Sequence, residues 1–359
     1  MAIIFNDPFD SYANVADASA AWSISGTDSH ILFDTVGRNG TGKCMRFVDN
    51  LGVYQHALRG YAPRATIFCE FNLKIVGSPK SNAVKIVTLW NDGTYQMSLV
   101  MAATSGLVYF TKNETTNLGA SASAGRAFRP GVDYWVEIKY TMSNSISAND
   151  CILTVNGEEW INIDAGVDTS QNVNQTTNGI SLGPIAGSSN DAREMLFDDF
   201  VLLDGTGSAP YNSTLGNHRC DVLRAIGTGA TNQWVGSDAD SVDNHLHVDE
   251  VTPDGDTTYN ESATPGEIEL YPVGALPVTA VEILAVNATS VARKTDSGAR
   301  ISRSMVRTGA ANFEGPDHYL SDNNYLRADG IFELNPDTGV AWTPAEIAVP
   351  VQVGIKVQS

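Results

Sequence analysis

The stretch Phe197-Asp198-Asp199-Phe200-Val201-Leu202-Leu203-Asp204 ends a strand-rich pattern, and a run of turn residues follows it at once. An aromatic and β-branched run stopped by Gly, Ser and Pro reads as the last strand of a domain. The opening residues, Ile3-Ile4-Phe5-Asn6-Asp7-Pro8-Phe9-Asp10-Ser11-Tyr12, carry the same mixture of acids and aromatics. This shared character predicts that the first and last strands of one β-sandwich lie side by side, closing a domain over residues 1–205. Asp198 and Asp199 are neighbours, so a regular strand would turn them to opposite faces, where they could not act as a pair.

Between those ends the chain offers short runs of β-branched and aromatic residues divided by Gly, Asn, Asp or Ser. They are His30 to Val36, Lys43 to Val48, Thr66 to Val76, Ala83 to Trp90, Tyr95 to Met101, Leu107 to Thr111, Tyr134 to Met142, Cys151 to Val155, Ile180 to Leu182 and Met195 to Leu203. About ten strands in roughly 200 residues exceed an immunoglobulin sandwich and suit a large jelly roll. Along Tyr134 to Tyr140 the alternation sets Trp135, Glu137 and Lys139 on one face and Tyr134, Val136, Ile138 and Tyr140 on the other. Asn156-Gly157 supplies the two positive φ values that a two-residue hairpin turn requires.

Asp133-Tyr134-Trp135-Val136-Glu137-Ile138-Lys139-Tyr140, then Cys151 to Glu159, then Phe197 to Val201, resemble the back half of a laminin G-like, concanavalin A-like jelly roll. Residues 206–217 read as a linker. Residues 218–359 read as a smaller, sandwich-like β domain with strands at Arg219 to Ile226, Val278 to Asn287, Ser290 to Lys294, Ala299 to Arg307 and Val351 to Val357. Helical turns are expected near Pro265 to Ile268 and Pro344 to Ile347, with Trp342 and the apolar tail Ile347 to Val357 in that domain's core or interface. Val248-Asp249-Glu250, Asp254 to Tyr259, Ala292 to Gly298 and Asn335 to Thr343 are similar to the second domain of virion structural proteins of tailed bacteriophages. That domain often follows a jelly roll opening Phe-Asp-Ser-Tyr, as Phe9 to Tyr12 do here. The resemblance implies a non-enzymatic, exposed structural component of a virion, assembled in the host cytoplasm. It could be tail-associated, a head decoration or a fibre, and its partners would be other virion proteins and copies of itself.

Composition narrows the alternatives. The 359 residues favour two domains on the prior of roughly 150 residues each. A formal charge of −19, with only 22 Lys and Arg, argues against a nucleic-acid partner, since phosphate binding needs clustered cations. The longest apolar runs fall short of a membrane span, and Met1 to Asp7 lacks the basic start of a secretory signal. Cys44, Cys69, Cys151 and Cys220 have neither metal-site nor disulfide-scaffold spacing and read as core thiols. No Gly-rich phosphate loop stands at a strand-to-helix junction, so no cofactor is expected.

Catalytic patterns are sparse. Glycosidases on this fold class need two carboxyls about 5–5.5 Å apart for retention, and the adjacent Glu158 and Glu159 would face opposite ways. Gly179-Ile180-Ser181-Leu182-Gly183 matches the nucleophile-elbow pattern but has strand-like flanks and Pro184 where a helix should begin. Asp238, Asp240 and Asp243 are weak candidates for calcium, in a loop read chiefly as solvated, because no glycine stands where a calcium loop turns. The best ligand-binding candidate is the hairpin Trp90-Asn91-Asp92-Gly93-Thr94-Tyr95, which sets an aromatic on each side of an amide and a carboxylate. Its structural alternative is a cross-strand Trp90–Tyr95 pair within the core. Two rivals to the virion reading follow: a glycan-binding adhesin using Trp90, Asn91, Asp92 and Tyr95, and a polysaccharide depolymerase.

Overall fold

The computed structural model describes residues 2–27, 29–48, 55–77, 82–113, 115–120, 126–147, 149–171, 173–185, 194–348 and 351–359. It divides into two compact units, Ala2–Cys220 and Asp221–Ser359. The first unit contains fifteen strands. In chain order these are β1 (Ile3–Asp7), β2 (Ser23–Ser25), β3 (Ile31–Leu32), β4 (Met45–Phe47), β5 (His56–Arg64), β6 (Thr66–Val76), β7 (Val84–Asn91) and β8 (Thr94–Met101). They continue as β9 (Val108–Lys112), β10 (Thr116–Ala120), β11 (Asp133–Thr141), β12 (Ile152–Val155), β13 (Glu158–Asn162), β14 (Thr177–Ile185) and β15 (Glu194–Leu203).

Two antiparallel sheets result. One has eight strands in the order β13-β12-β11-β6-β15-β4-β3, with β1 also on β15; the other has seven in the order β10-β9-β8-β7-β14-β5-β2. This is the expected all-β jelly-roll sandwich. The opening and closing strands do pair, with Phe5 opposite Leu202 and Asp7 opposite Phe200. Asp7 ties the closure together, accepting hydrogen bonds from the Tyr12 hydroxyl (2.7 Å) and the Trp22 indole (2.7 Å).

The core lies between the sheets, filled by alternate residues such as Cys69, Phe71 and Leu73 of β6, Val136 and Ile138 of β11, and Leu99 and Met101 of β8. Such alternation leaves the other face of each sheet for function. Within β15 the alternation breaks. Met195, Phe197, Phe200 and Leu202 all enter the core, which a regular strand cannot arrange. The register slips between Asp198 and Val201, and Asp199 sits at φ 53°. This bulge adds one residue to the outer side. Asp198 and Asp199 therefore share a face, contrary to the regular-strand expectation.

The second unit holds β16 (Val235–Gly236), β17 (Asn260–Glu261), β18 (Ile268–Pro272), β19 (Val286–Ala292), β20 (Ile301–Thr308), β21 (Ala311–Tyr319), β22 (Leu326–Phe332) and β23 (Gln352–Val357). A four-stranded sheet β18-β23-β20-β21 accompanies the pairs β19-β22 and β16-β17. Its small core gathers Ala288, Val306, Trp342, Ile347 and Val351, and the Trp342 indole donates to the Phe332 carbonyl (2.9 Å). The helical turn Pro344–Ala348 forms as expected. Thr343 and Glu346 cap it reciprocally: Glu346 accepts from the Thr343 amide (2.6 Å), and the Thr343 hydroxyl accepts from the Glu346 amide (3.3 Å). Val278 to Asn287 is not one strand; only Val286 and Asn287 belong to β19. Val278 and Val281 are exposed, and only Ile283 and Val286 at the segment's end pack against the core. Edge strand β21 escapes recognition because Gly315, Pro316 and its charges dilute the strand signal.

Candidate functional site

The hairpin β7–β8 turns at Asp92 (φ 46°) and Gly93 (φ 77°), the two positive-φ positions of a tight connection. Trp90 and Tyr95 face each other across it with ring centroids 4.1 Å apart. Neither ring belongs to the hydrophobic core cluster; both are half-buried. They lie on the side of the seven-stranded sheet away from the core, beside the buried polar residues Lys85, Thr88, Ser98 and Ser181. The Trp90 indole donates to the Ser181 hydroxyl (2.8 Å), which fixes the ring. His56 stacks against Trp90 with centroids 6.0 Å apart, and the Lys85 ammonium sits 4.3 Å from the Tyr95 ring centre. Burial lowers the His56 imidazole below its ordinary pKa, so it is neutral at physiological pH. The aromatic group is thus flanked by one cation and a neutral imidazole.

The other two hairpin residues have different settings. Asn91 is buried, and its amide donates to the Thr176 carbonyl (2.9 Å). Asp92 is exposed and exchanges hydrogen bonds with Asn178, whose amide nitrogen lies 2.7 Å from the Asp92 carboxylate. The structure therefore joins Trp90 and Tyr95 into one platform, places Asp92 with Asn178 at its rim, and spends Asn91 on holding the 176–178 segment. In the second unit, Asp238 and Asp240 accept backbone hydrogen bonds from Asp240 and Val242 respectively. Asp243 adopts φ 56° at the start of a 3-10 turn. Among the described residues, no three His, Cys, Asp or Glu side chains converge as a metal site.

The outward face of the eight-stranded sheet has a different character. Glu137 of β11 stands directly opposite Glu70 of β6, and Trp135 opposite Asn72. Asp198 of β15 is opposite Asn72 on the other side. Like charges directly across a ladder repel, yet this pair is buried. Thr214–Cys220 runs over it as a strap. The Leu215 amide donates to Glu70 (2.7 Å) and the Cys220 amide to Asp199 (2.7 Å). Glu137 accepts from the Thr214 hydroxyl and the Gly216 amide. Arg38 joins from the side: its amide donates to Asp198 (2.6 Å), and its guanidinium donates to the His218 carbonyl (3.0 Å) and lies 3.6 Å from Asp199. The His218 ring meets Trp135 edge-on at 4.5 Å.

Burial pushes the Glu70 carboxyl up to about 8 and raises Glu137 as well. Burial, helped by the Asp199 charge, also lifts Asp198 above the usual carboxylate range. Burial holds the His218 imidazole down at about 4. Such a constellation is invisible in sequence, because Glu70, Glu137, Asp198 and His218 come from four separate segments. Beside the strap, a groove of about 590 Å³ is lined by Arg38, Arg46, Asn72, Lys74, Asp133, Glu194 and Asp198. Its charges are mutually compensated, Arg46 with Glu194 at 2.6 Å and Lys74 with Asp133 at 3.0 Å.

No protein family matches the chain, and no curated protein matches it. Solved structures similar to it include a cellulose induced protein, Cip1, with TM-score 0.43 and 15% identity over 60% of this chain and 100% of that one. Alginate lyase Aly36B is similar at TM-score 0.41 and 11% identity, over 55% of this chain and 95% of that one. Carbohydrate binding module CBM66 from Bacillus subtilis is similar at TM-score 0.33 and 8% identity, over 51% and 95%. At these identities the likeness is one of fold. It corrects one expectation: the chain was read as non-enzymatic, and enzymes stand among the proteins with this sandwich, so the fold gives no ground for excluding catalysis. The phage resemblance finds no counterpart in these three.

Proposed function

We propose that this protein recognises a carbohydrate on the outward face of its seven-stranded sheet, with Trp90 and Tyr95 as the stacking platform. One observation carries the reading: two aromatic rings 4.1 Å apart, outside the core and half-exposed, fixed from below by Ser181. The C–H face of a pyranose packs on such a ring, while its hydroxyls need polar groups at the rim. Asp92 and Asn178 supply these. A glycan array with the full chain, followed by titration of the best ligand into wild type and Trp90→Ala, tests the proposal. Binding lost in a folded Trp90→Ala protein supports it; silence across the array with wild type, or unchanged affinity in the variant, defeats it. The same incubations read turnover, and shortened polysaccharide chains would make the platform a substrate site.

A second reading concerns the other unit. Among the described residues, Ile226, Val242, Leu246, Val251, Val281, Tyr319 and Val340 are all exposed there, beside a small core. Should these side chains adjoin as one patch, that patch would serve assembly with copies of this chain or other virion proteins. Cosedimentation with particles and the mass of the purified protein in solution test it. A monomer that leaves particles unbound removes this reading.

A further inference from the structure

The strap Thr214–Cys220 has no strand or helix of its own, and several of its donors meet carboxyl groups. Leu215 and Gly216 donate to Glu70, Thr214 and Gly216 to Glu137, and Cys220 to Asp199. Beneath it Glu70 is fully buried, and its second oxygen, Oε2, has no hydrogen-bond partner. That oxygen lies 3.6 Å from His218 Nδ1, but the Nδ1 proton goes to the Gly216 carbonyl (2.9 Å). The charged groups beside Glu70 are Glu137 from β11 and His218 from the strap, with Asp198 and Asp199 of β15 and Arg38 further along the same face. Arg38 is engaged with Asp199, and the outward Lys74 and Lys139 are paired with Asp133 and Asp150. None of Arg38, Lys74 and Lys139 pairs with Glu70.

We infer that Thr214–Cys220 is a proton-held strap, closed over the eight-stranded sheet while Glu70 and Glu137 carry protons and released as those carboxyls ionise. The sign follows from linkage. Both groups bind protons more tightly when covered, so closure is strongest below the ordinary carboxylate range and weakens as pH rises through their raised range. His218 acts in the opposite sense: it is neutral when covered and gains a proton when released below its ordinary pKa. Two carboxyls outnumber one imidazole, so closure still strengthens on acidification toward about pH 5. Release would uncover Trp135, Asn72, Glu70 and Glu137, an aromatic with an amide and two carboxyls on one face.

Amide hydrogen exchange on the full chain, corrected for intrinsic rates, tests this between pH 6 and 9. The Leu215 and Cys220 amides should lose protection by up to about tenfold per pH unit for each proton released, while Val136 and Ile138 amides beneath keep theirs. Glu70→Gln and Glu137→Gln should each flatten that slope. Uniform protection of Leu215 and Cys220 across the range overturns the inference. So does loss of the whole sheet together with the strap, or an unchanged slope in both variants. The wild-type series decides alone if a variant does not fold.

Discussion

The two outward faces of the sandwich are built from the same pleated alternation and put to opposite uses. On the seven-stranded sheet, Trp90 stays half-exposed, its indole fixed on Ser181. On the eight-stranded sheet, Trp135 is 2% exposed, with Arg38 and His218 over it and an indole nitrogen that has no partner. The difference lies in what surrounds each ring. An uncovered aromatic with polar neighbours is available to a ligand. A covered one bordered by buried carboxyls is part of a lock whose strength depends on protonation.

Substitution should separate the faces most sharply. Trp135→Ala empties a fully buried site and should destabilise the first unit by about 3–5 kcal/mol. Trp90→Ala, at a half-exposed ring with one hydrogen bond, should cost about 1–2 kcal/mol. Calorimetry of the full chain reads both, and equal losses would erase the contrast.

The pH response comes next in size. Covered Glu70 and Asp198 hold protons that their unfolded forms release, so the first unit's melting temperature should fall as pH rises from about 5 to 8. The slope is limited to about 1.4 kcal/mol per pH unit per carboxyl. Glu70→Gln should flatten that slope, and a transition temperature that rises with pH over this range would contradict the arrangement. A smaller effect belongs to Asn156, at φ 50°, whose side chain accepts from the Trp135 amide (2.8 Å). Asn156→Ala should cost about 1–2 kcal/mol through backbone strain and the lost bond, read in the same scans.

Much of the sandwich was legible because it is written locally. The alternation in Thr66 to Val76 matches β6 to the residue, and the Asn156-Gly157 turn has the expected positive φ values. The pairing of the first and last strands was legible from shared composition alone. Trp90 and Tyr95, legible as a ligand-binding candidate with a core cross-strand pair as its alternative, do form the pair, but outside the core cluster. Three things were not legible. Glu70 meets Glu137 through a register set at a sequence separation of 67 residues, and no local pattern carries such a register. The bulge at Asp199 depends on both Phe197 and Phe200 entering the core. The segment 206–217, with the turn-rich composition of a linker, has residues pinned to the sheet by backbone amides, and amides carry no sequence signature.

The most direct test of carbohydrate recognition on the open face is calorimetric titration of the strongest array ligand into wild type and Trp90→Ala at matched folded fraction. The platform predicts at least a tenfold weaker Kd for the variant, about 1.4 kcal/mol, with the fold retained. Equal affinity in the two proteins would show that the ligand binds elsewhere and that the open face is not the site.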